Sequence, residues 1–355
     1  MAASYSSCTD SKTWINHPPC AQTTQNAQGG FTLLRSIKKP GYLLMALVLI
    51  LSLAACTTAQ APDVPNAPKP PMPDKISQFD GDVPIIKVYV GESQSIESMP
   101  LEEYLSGVLA GEMKNDWPLE ALKAQAILAR TFVLRFMSEK ESVHQGADIS
   151  TDIEEAQAYN AADINERVRQ AVEETRGMVL ASKEEFPYAW FHAHSGGKTA
   201  LAKEGLGYEK AEPNYTQVTQ GNESDQAPEN AKTWTATFSD AQILEAAKAS
   251  GVTGDKIDSI QIGDRGESGR AVTLIINGQQ VAAPSFRVAL GSMEMRSTLL
   301  ESIEASNGQV TLSGMGYGHG VGMSQWGAYG MAESGSKAEE IVTHYFKDVQ
   351  VVKMW

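Results

Sequence analysis

Cysteine is almost absent from this chain, and its placement excludes two kinds of site. The 355 residues include only Cys8, Cys20 and Cys56, so no disulfide or thiolate metal site can form within the part that follows residue 56. Internal repeats are also lacking, and no apolar run reaches the roughly 20 residues of a comfortable membrane-spanning helix. The long C-terminal part must therefore fold around a hydrophobic core.

Positive charge is scarce as well. Residues 56–355 carry 25 basic and 42 acidic side chains, a net charge of −17. This balance argues against nucleic acid as a partner and against broad electrostatic adhesion to an anionic cell wall. Any recognition of an anionic substrate must therefore be local.

One short apolar run does stand out near the N-terminus. It covers residues 42–55, follows Arg35, Lys38 and Lys39, and ends directly before Cys56. A basic segment, a short apolar segment and small residues at its end predict an export signal. Because residues 1–32 do not resemble such a signal, we expect translation to start downstream of them.

The end of this run, Leu-Ala-Ala-Cys, resembles the lipobox of bacterial lipoproteins. That resemblance implies cleavage before Cys56, acylation of its sulfur and a lipid-anchored protein on the extracytoplasmic face of the cell membrane. A plain signal anchor with an incidental cysteine is the alternative. The sequence thus predicts an N-terminal extension with a lipoprotein signal peptide over 1–55, an extended Pro-rich tether over 56–84 and a catalytic domain over 85–355.

Periodicity predicts an α+β fold, with mixed helices and antiparallel or mixed strands around a substrate cleft. Expected helices cover 100–113, 117–138, 163–175, 239–249, 323–333 and 337–346, and expected strands cover 83–90, 178–180, 259–263 and 271–276. We further expect a strand within 281–291, a short helix within 293–303 and a Gly-rich turn at 314–322.

Glu112 is the anomaly of the first predicted helix. It continues an apolar stripe formed by Tyr104 and Val108 at helical spacing. Burial next to Met113 and Trp117 would raise the pKa of its carboxyl, as a general acid that protonates a glycosidic oxygen requires. The alternative is a glutamate paired with Lys123 or Arg130, or one that faces solvent at the helix end.

Three blocks of sequence carry a family resemblance. They are YLSGVLAGEMKNDWPLEALKAQAILARTFVL around Glu112, FHAHSGGKT at 191–199 and GYGHGVGMSQWGAYGMA at 316–332. In this order they resemble the stage II sporulation protein D (SpoIID/LytB) family, over about residues 86–350. The sporulation branch of that family consists of lytic transglycosylases, which cleave peptidoglycan glycan strands freed of stem peptides, and the essential glutamate of the family falls on Glu112.

The resemblance also implies a mechanism and a partner. A lytic transglycosylase uses the sugar's own 6-hydroxyl as nucleophile and leaves a 1,6-anhydro-N-acetylmuramic end, so one carboxyl group suffices where ordinary glycosidases need two. A cell-wall amidase that strips stem peptides is the expected partner. The alternative function is a non-catalytic peptidoglycan-binding enhancer of an amidase, because one branch of the family bears that name.

Polar and aromatic residues of the same blocks are candidates for substrate binding: Trp117, Gln125, Arg130, Thr131, His192, Ser195, His319, Ser324, Gln325 and Trp326. Arg130 would hold the lactyl carboxylate of peptide-free muramic acid, or else pair with Glu120 or a backbone carbonyl. Trp326 would stack on a sugar, or else belong to the core. Four other acids, Glu102, Glu103, Asp116 and Glu120, are expected to be solvated or to cap helices.

No metal or other cofactor is expected. His192, His194 and His319 offer a three-histidine alternative, but no carboxylate at suitable spacing supports it. Some family members bind zinc through a His-x5-Cys-x4-His-Cys pattern. Aligned at His144, this chain has Ser150, Glu155 and Ala156 at the other positions, which predicts no zinc site there.

Overall fold

The first sheet forms from the strand that the sequence predicts and from three shorter ones. The computed structural model describes residues 68–355. Strands β1 (Phe79–Asp80), β2 (Val83–Val90) and β3 (Ser95–Pro100) pair antiparallel in this order, and β4 (Ile149–Ser150) pairs parallel with β2. The sheet buries Ile86 and Val88 against the helices that follow.

Two helices follow the third strand, and a proline stands directly before each of them. They are α1 (Leu101–Glu112), preceded by Pro100, and α2 (Leu119–Glu139), preceded by Pro118. Both prolines have φ near −55° and an extended ψ, at a position where their missing N–H costs no helical hydrogen bond. Tyr104 and Val108 of the predicted stripe are fully buried.

A third helix and two short strands add to the first hydrophobic core. They are α3 (Glu166–Glu174), β5 (Met178–Ala181) and β6 (Phe191–His192), and the short helix α4 (Ala202–Leu206) follows them. Asn165 caps α3 by accepting a hydrogen bond from the N–H of Val168 at 2.9 Å.

A second core occupies the next part of the chain. Its elements are α5 (Glu229–Lys232), β7 (Thr233–Ser239), α6 (Asp240–Ala249), β8 (Ile260–Ile262), β9 (Thr273–Ile276), β10 (Gln279–Ala282), α7 (Ala283–Leu290), β11 (Leu300–Ser306) and β12 (Gln309–Met315). Two expectations are wrong here. Residues 283–290 are helical rather than extended, and residues 293–303 form no helix but lead through turns into strand β11. Pro284 in the first turn favours the helix, and pairing with β12 selects the strand.

The last elements return to the first core. They are β13 (Met323–Ser324), α8 (Gln325–Glu333), α9 (Ala338–Tyr345) and β14 (Gln350–Lys353). Strand β13 pairs parallel with β6, and β14 pairs antiparallel with β5. Helices and largely antiparallel sheets follow one another without strict alternation, which confirms the α+β class.

Part of the predicted tether is packed on the domain. Pro70, Pro73 and Ile76 are buried, and Lys75 forms an ion pair with Glu141 at 2.9 Å, so this stretch is not the free spacer that its composition predicts. The predicted signal peptide and Cys56 lie outside the described residues. Between residues 68 and 355, no helix has the length and apolar character needed to cross a bilayer.

Candidate active site

Glu112 is the last residue of α1, and its carboxyl is largely enclosed. Oε1 accepts one hydrogen bond, from the N–H of Ala158 at 2.8 Å. Burial raises the pKa of the Glu112 carboxyl to about 7, from an ordinary value of 4.5, and the Ala158 hydrogen bond opposes this only in part. Both the protonated and the ionised form of Glu112 are therefore populated near neutral pH.

The ion pairs considered as alternatives for Glu112 go to other partners. Lys123 pairs with Glu120 and Glu174, and Arg130 pairs with Glu102. No cation within the described residues neutralises Glu112. The interpretation of Glu112 as a salt-bridged structural residue is therefore wrong.

Two glycines of α1 let the loop that binds Glu112 approach the helix. Gly107 and Gly111 lie one helical turn apart, under Ala158 and Tyr159. An ideal Cβ at Gly111 would stand 2.6 Å from the carbonyl carbon of Ala158, too close for any real contact. A larger residue there would push the Ala158 N–H away from the carboxyl, so these glycines position the partner of Glu112.

The Glu112 carboxyl opens into a polar cleft of about 500 Å³. The cleft is lined by the end of α1 and by the loop after it, together with two residues at the short 3-10 turn Ala161–Asp163. These residues include Gly111, Glu112, Lys114, Asn115, Asp116, Asn160 and Asp163. Asp116 and Asp163 bring two further carboxylates to this cleft, and Lys114 brings a cation. Sequence reasoning missed Lys114, Asn160 and Asp163, because nothing local distinguishes them from loop residues.

A cluster of aromatic rings connects the C-terminal block to this region. The rings of Trp117 and Trp326 lie 4.5 Å apart between centroids, and Tyr329 stands edge-on to Trp117 at 5.1 Å. The side-chain amide of Gln325 donates a hydrogen bond to the backbone carbonyl of Glu112 at 3.1 Å. The structure thus brings Gln325 and Trp326 to the region of Trp117 and Glu112, although more than 200 residues separate the two segments in sequence.

Two glycines of the Gly-rich turn let its backbone pack closely against other parts of the protein. Gly320 has a φ of 82°, and a Cβ there would collide with the guanidinium of Arg270. Gly322 has a φ of 72°, and a Cβ there would collide with the carbonyl of Trp190. Close approach at these two glycines is therefore to protein groups.

Arg130 and Thr131 cannot contact a substrate, because neither has any accessible surface. Arg130 is bound through two nitrogens to the carboxylate of Glu102 and donates to the carbonyl of Met178 at 2.9 Å. Thr131 donates to the carbonyl of Ile127 and accepts from the N–H of Leu180. Both residues hold α2 against its neighbours. Of the alternatives to a substrate contact for Arg130, the bond to a backbone carbonyl is present and the pairing with Glu120 is wrong.

Three more candidates are buried within the fold. Gln125 has no accessible surface, and its amide has no hydrogen-bond partner among the described residues. Ser195 donates to the carboxylate of Glu223, and Ser324 caps α8 by accepting from the N–H of Gly327 at 3.2 Å. The two serines therefore stabilise local structure, which sequence spacing did not reveal.

The histidines do not form a metal centre. In residues 68–355, no three histidine, cysteine, aspartate or glutamate side chains converge in a way that would hold a metal ion. His192 and His319 lie 5.7 Å apart between ring centroids, and burial lowers the pKa of His319 to about 3. His144 stacks on Tyr89 at 3.6 Å instead of facing metal ligands.

Glu102 is a buried residue that sequence reasoning placed at the surface. Four hydrogen bonds reach its carboxylate: two from Arg130, one from the N–H of Gly177 and one from the indole of Trp355. Only 8% of this residue is exposed. The spacing of 28 residues between Glu102 and Arg130 gives no local signal of the pair.

Comparison with known families divides most of the described chain between two models. The model described as "SpoIID: Stage II sporulation protein" matches residues 89–181, which include Glu112. A domain of unknown function, DUF8618, matches residues 183–322.

Three similar proteins come from Bacillus species. Stage II sporulation protein D of Bacillus amyloliquefaciens is 32% identical over 284 residues, which are 75% of this chain and 78% of that protein. Its counterpart in Bacillus subtilis (strain 168) is 31% identical with the same coverage. The protein named amidase enhancer of Bacillus subtilis (strain 168) is 27% identical over 68% of this chain and 39% of its own length. On this similarity, the chain belongs to the stage II sporulation protein D family.

Proposed function

We propose that this protein is a cell-wall enzyme, a lytic transglycosylase that cleaves peptide-free glycan strands of peptidoglycan. Its family supports a function in the cell wall. The observation that carries the finer proposal is the Glu112 carboxyl, which is protonated in part at neutral pH and opens into a polar cleft beside two tryptophans. The lipobox-like sequence at Cys56 supports a lipid anchor that holds the enzyme on the outer side of the membrane.

In this mechanism, Glu112 first donates its proton to the glycosidic oxygen as the bond to C1 of N-acetylmuramic acid breaks. The 6-hydroxyl of the same sugar then attacks C1 and gives its proton to the Glu112 carboxylate. A 1,6-anhydro end forms, no water is consumed and the carboxyl is restored. The Ala158 N–H, 2.8 Å from Oε1, would stabilise the carboxylate between the two steps.

A conventional hydrolase is the closest chemical competitor, since Asp116 and Asp163 line the same cleft. A second carboxylate would activate water and leave a reducing muramic acid end in place of the anhydro end. The two products differ by the mass of one water molecule. Product mass therefore separates the two mechanisms.

The test is to incubate the full chain with peptide-free glycan strands and to identify the products by mass spectrometry. We expect anhydro ends from the wild type and a rate about 10²–10⁴-fold lower for Glu112→Gln. Glu103→Gln is the matched control, because Glu103 is exposed on the same helix. Reducing ends, or anhydro ends that persist in Glu112→Gln at the wild-type rate, would contradict the proposal.

A role as an amidase enhancer is the second candidate, favoured by the similarity to the protein of that name. It predicts strand binding without any product and faster turnover by a cell-wall amidase added to the same assay. Glu112→Gln would keep that stimulation. The same incubation, with and without an amidase, thus separates the two functions.

A further inference from the structure

A second groove, which the proposed mechanism does not use, lies between α2 and the segment that leads into β6. It encloses about 280 Å³, and five aromatic rings line it: Phe132 and Phe136 from α2, with Tyr188, Trp190 and Tyr208 opposite. We call it the aromatic groove. Apart from Phe136, all of these rings keep part of their surface accessible.

Two of the rings are stacked on each other, and a third stands across them. Tyr188 and Trp190 stack at 4.9 Å between centroids with their planes 20° apart, and Tyr208 stands at 73° to Trp190 at 5.8 Å. Pyranose rings present one apolar face of C–H groups and a polar edge of hydroxyls. A groove with aromatic surfaces and polar groups at its margin suits such a ligand.

The margin of the aromatic groove carries one cation that has no ion-pair partner in the described part of the chain, Lys140. Its ammonium group lies 5.8 Å from the Phe136 ring centroid. The other cation, Arg135, is held by Glu139 at 2.6 Å and lies over the Tyr188 ring at 4.4 Å. On a chain with a net charge of −14, Lys140 is thus a local partner for an isolated carboxylate.

The aromatic groove is close to the Glu112 region along the backbone. Trp190 directly precedes β6, and Ala193 directly follows it, with its carbonyl accepting from the N–H of Trp326 at 3.0 Å. Three residues of extended chain span about 10 Å. Since Trp326 packs on Trp117, the aromatic groove and the tryptophan pair beside Glu112 are neighbouring features.

We propose that the aromatic groove is an accessory subsite for a sugar unit of the peptide-free glycan strand, with Lys140 paired to a lactyl carboxylate. This inference rests on the proposed function for the identity of the polymer. A stem peptide converts the lactyl carboxylate to a neutral amide, so the contact with Lys140 favours strands that an amidase has already stripped. A membrane surface would instead fit an exposed apolar face, whereas Phe136 at the groove is buried.

The test measures binding of long peptide-free strands to the full chain carrying Glu112→Gln, so that turnover is slow on the time scale of the measurement. Adding Tyr208→Ala or Lys140→Glu should weaken binding about tenfold, because one of two linked contacts on the polymer is lost. Phe79→Ala and Lys347→Glu are matched controls, since both residues are exposed and line neither cleft nor groove. For strands that retain stem peptides, Lys140→Glu should change affinity little.

Unchanged affinity in both groove variants would overturn the inference, as would a loss seen only with anionic lipid vesicles, which would indicate a membrane contact. Failure of the proposed function gives a different result. If the wild type makes no anhydro ends but Tyr208→Ala and Lys140→Glu still weaken strand binding, the subsite stands and the lytic reaction fails. If the wild type makes anhydro ends but both variants bind strands normally, the lytic reaction stands and the subsite inference fails.

Discussion

The two ends of α1 each hold a glutamate away from bulk water, and they do so in opposite ways. In the first turn, Glu102 receives four hydrogen bonds and the full charge of Arg130. In the last turn, Glu112 receives one backbone hydrogen bond and no cation from the described residues. One helix thus carries a fully compensated carboxylate and an uncompensated carboxyl.

This difference separates a structural role from a chemical one. A buried charge that has a counter-ion and several hydrogen bonds is costly to disturb and unreactive. A carboxyl that lacks such partners keeps its proton to higher pH and can give it away. The predictions below test the two ends of the helix, with the exposed Glu103 as the common reference.

The largest effect is expected at the compensated end. Glu102→Gln removes the charge that balances Arg130, and leaves a guanidinium with no accessible surface unpaired. We expect the free energy of unfolding to fall by about 3–5 kcal/mol, measured by urea denaturation. Glu103→Gln, one residue away and exposed, should change it by less than about 0.5 kcal/mol. Equal stability of the two variants would show that the pair contributes little.

At the uncompensated end, the same substitution should have the opposite sign. Because the folded-state pKa of Glu112 is raised to about 7, the protonated carboxyl stabilises the fold below about pH 4.5, and this contribution is lost as pH rises through 7. Above pH 8, the wild type holds an unfavourable charge that Glu112→Gln lacks. The variant should therefore be more stable by about 3 kcal/mol there and equal near pH 4.

Urea denaturation at both pH values checks this second prediction. Glu103→Gln again serves as the control and should show no such pH dependence, since its side chain is exposed. If Glu112→Gln is less stable than the wild type above pH 8, the carboxylate must have partners that compensate its charge, and the contrast between the two ends disappears.

The sequence predicted one end of the helix and not the other, for a physical reason. Glu112 is set off by its own neighbours, since the apolar stripe of Tyr104 and Val108 runs straight into it. Glu102 depends on partners 28, 75 and 253 residues away, and their approach is decided by tertiary packing. Local periodicity reports which face of a helix is apolar, but it does not report what covers the polar residues beside that face.

The same limit explains the errors at 281–303. Short apolar segments fit a helix turn or a strand equally well, and the choice there is made by Pro284 and by pairing with β12. In contrast, α1, α2 and α6 were predicted closely, because proline or serine marks where each begins. The cleft residues Asn160 and Asp163 reach Glu112 only through a loop fold that no local pattern records.

The smallest predicted effect concerns the rate of cleavage as a function of pH. A general acid must be protonated when the substrate binds, so kcat/KM should be level below about pH 7 and fall about tenfold per unit above it. A hydrolase that also needs an ionised Asp116 or Asp163 would lose rate at low pH as well, which gives a bell-shaped profile. Glu103→Gln should leave the profile unchanged. A profile that only falls, with its midpoint near pH 7, therefore supports a mechanism in which Glu112 acts alone. A bell-shaped profile would instead indicate a hydrolase that uses two carboxylates.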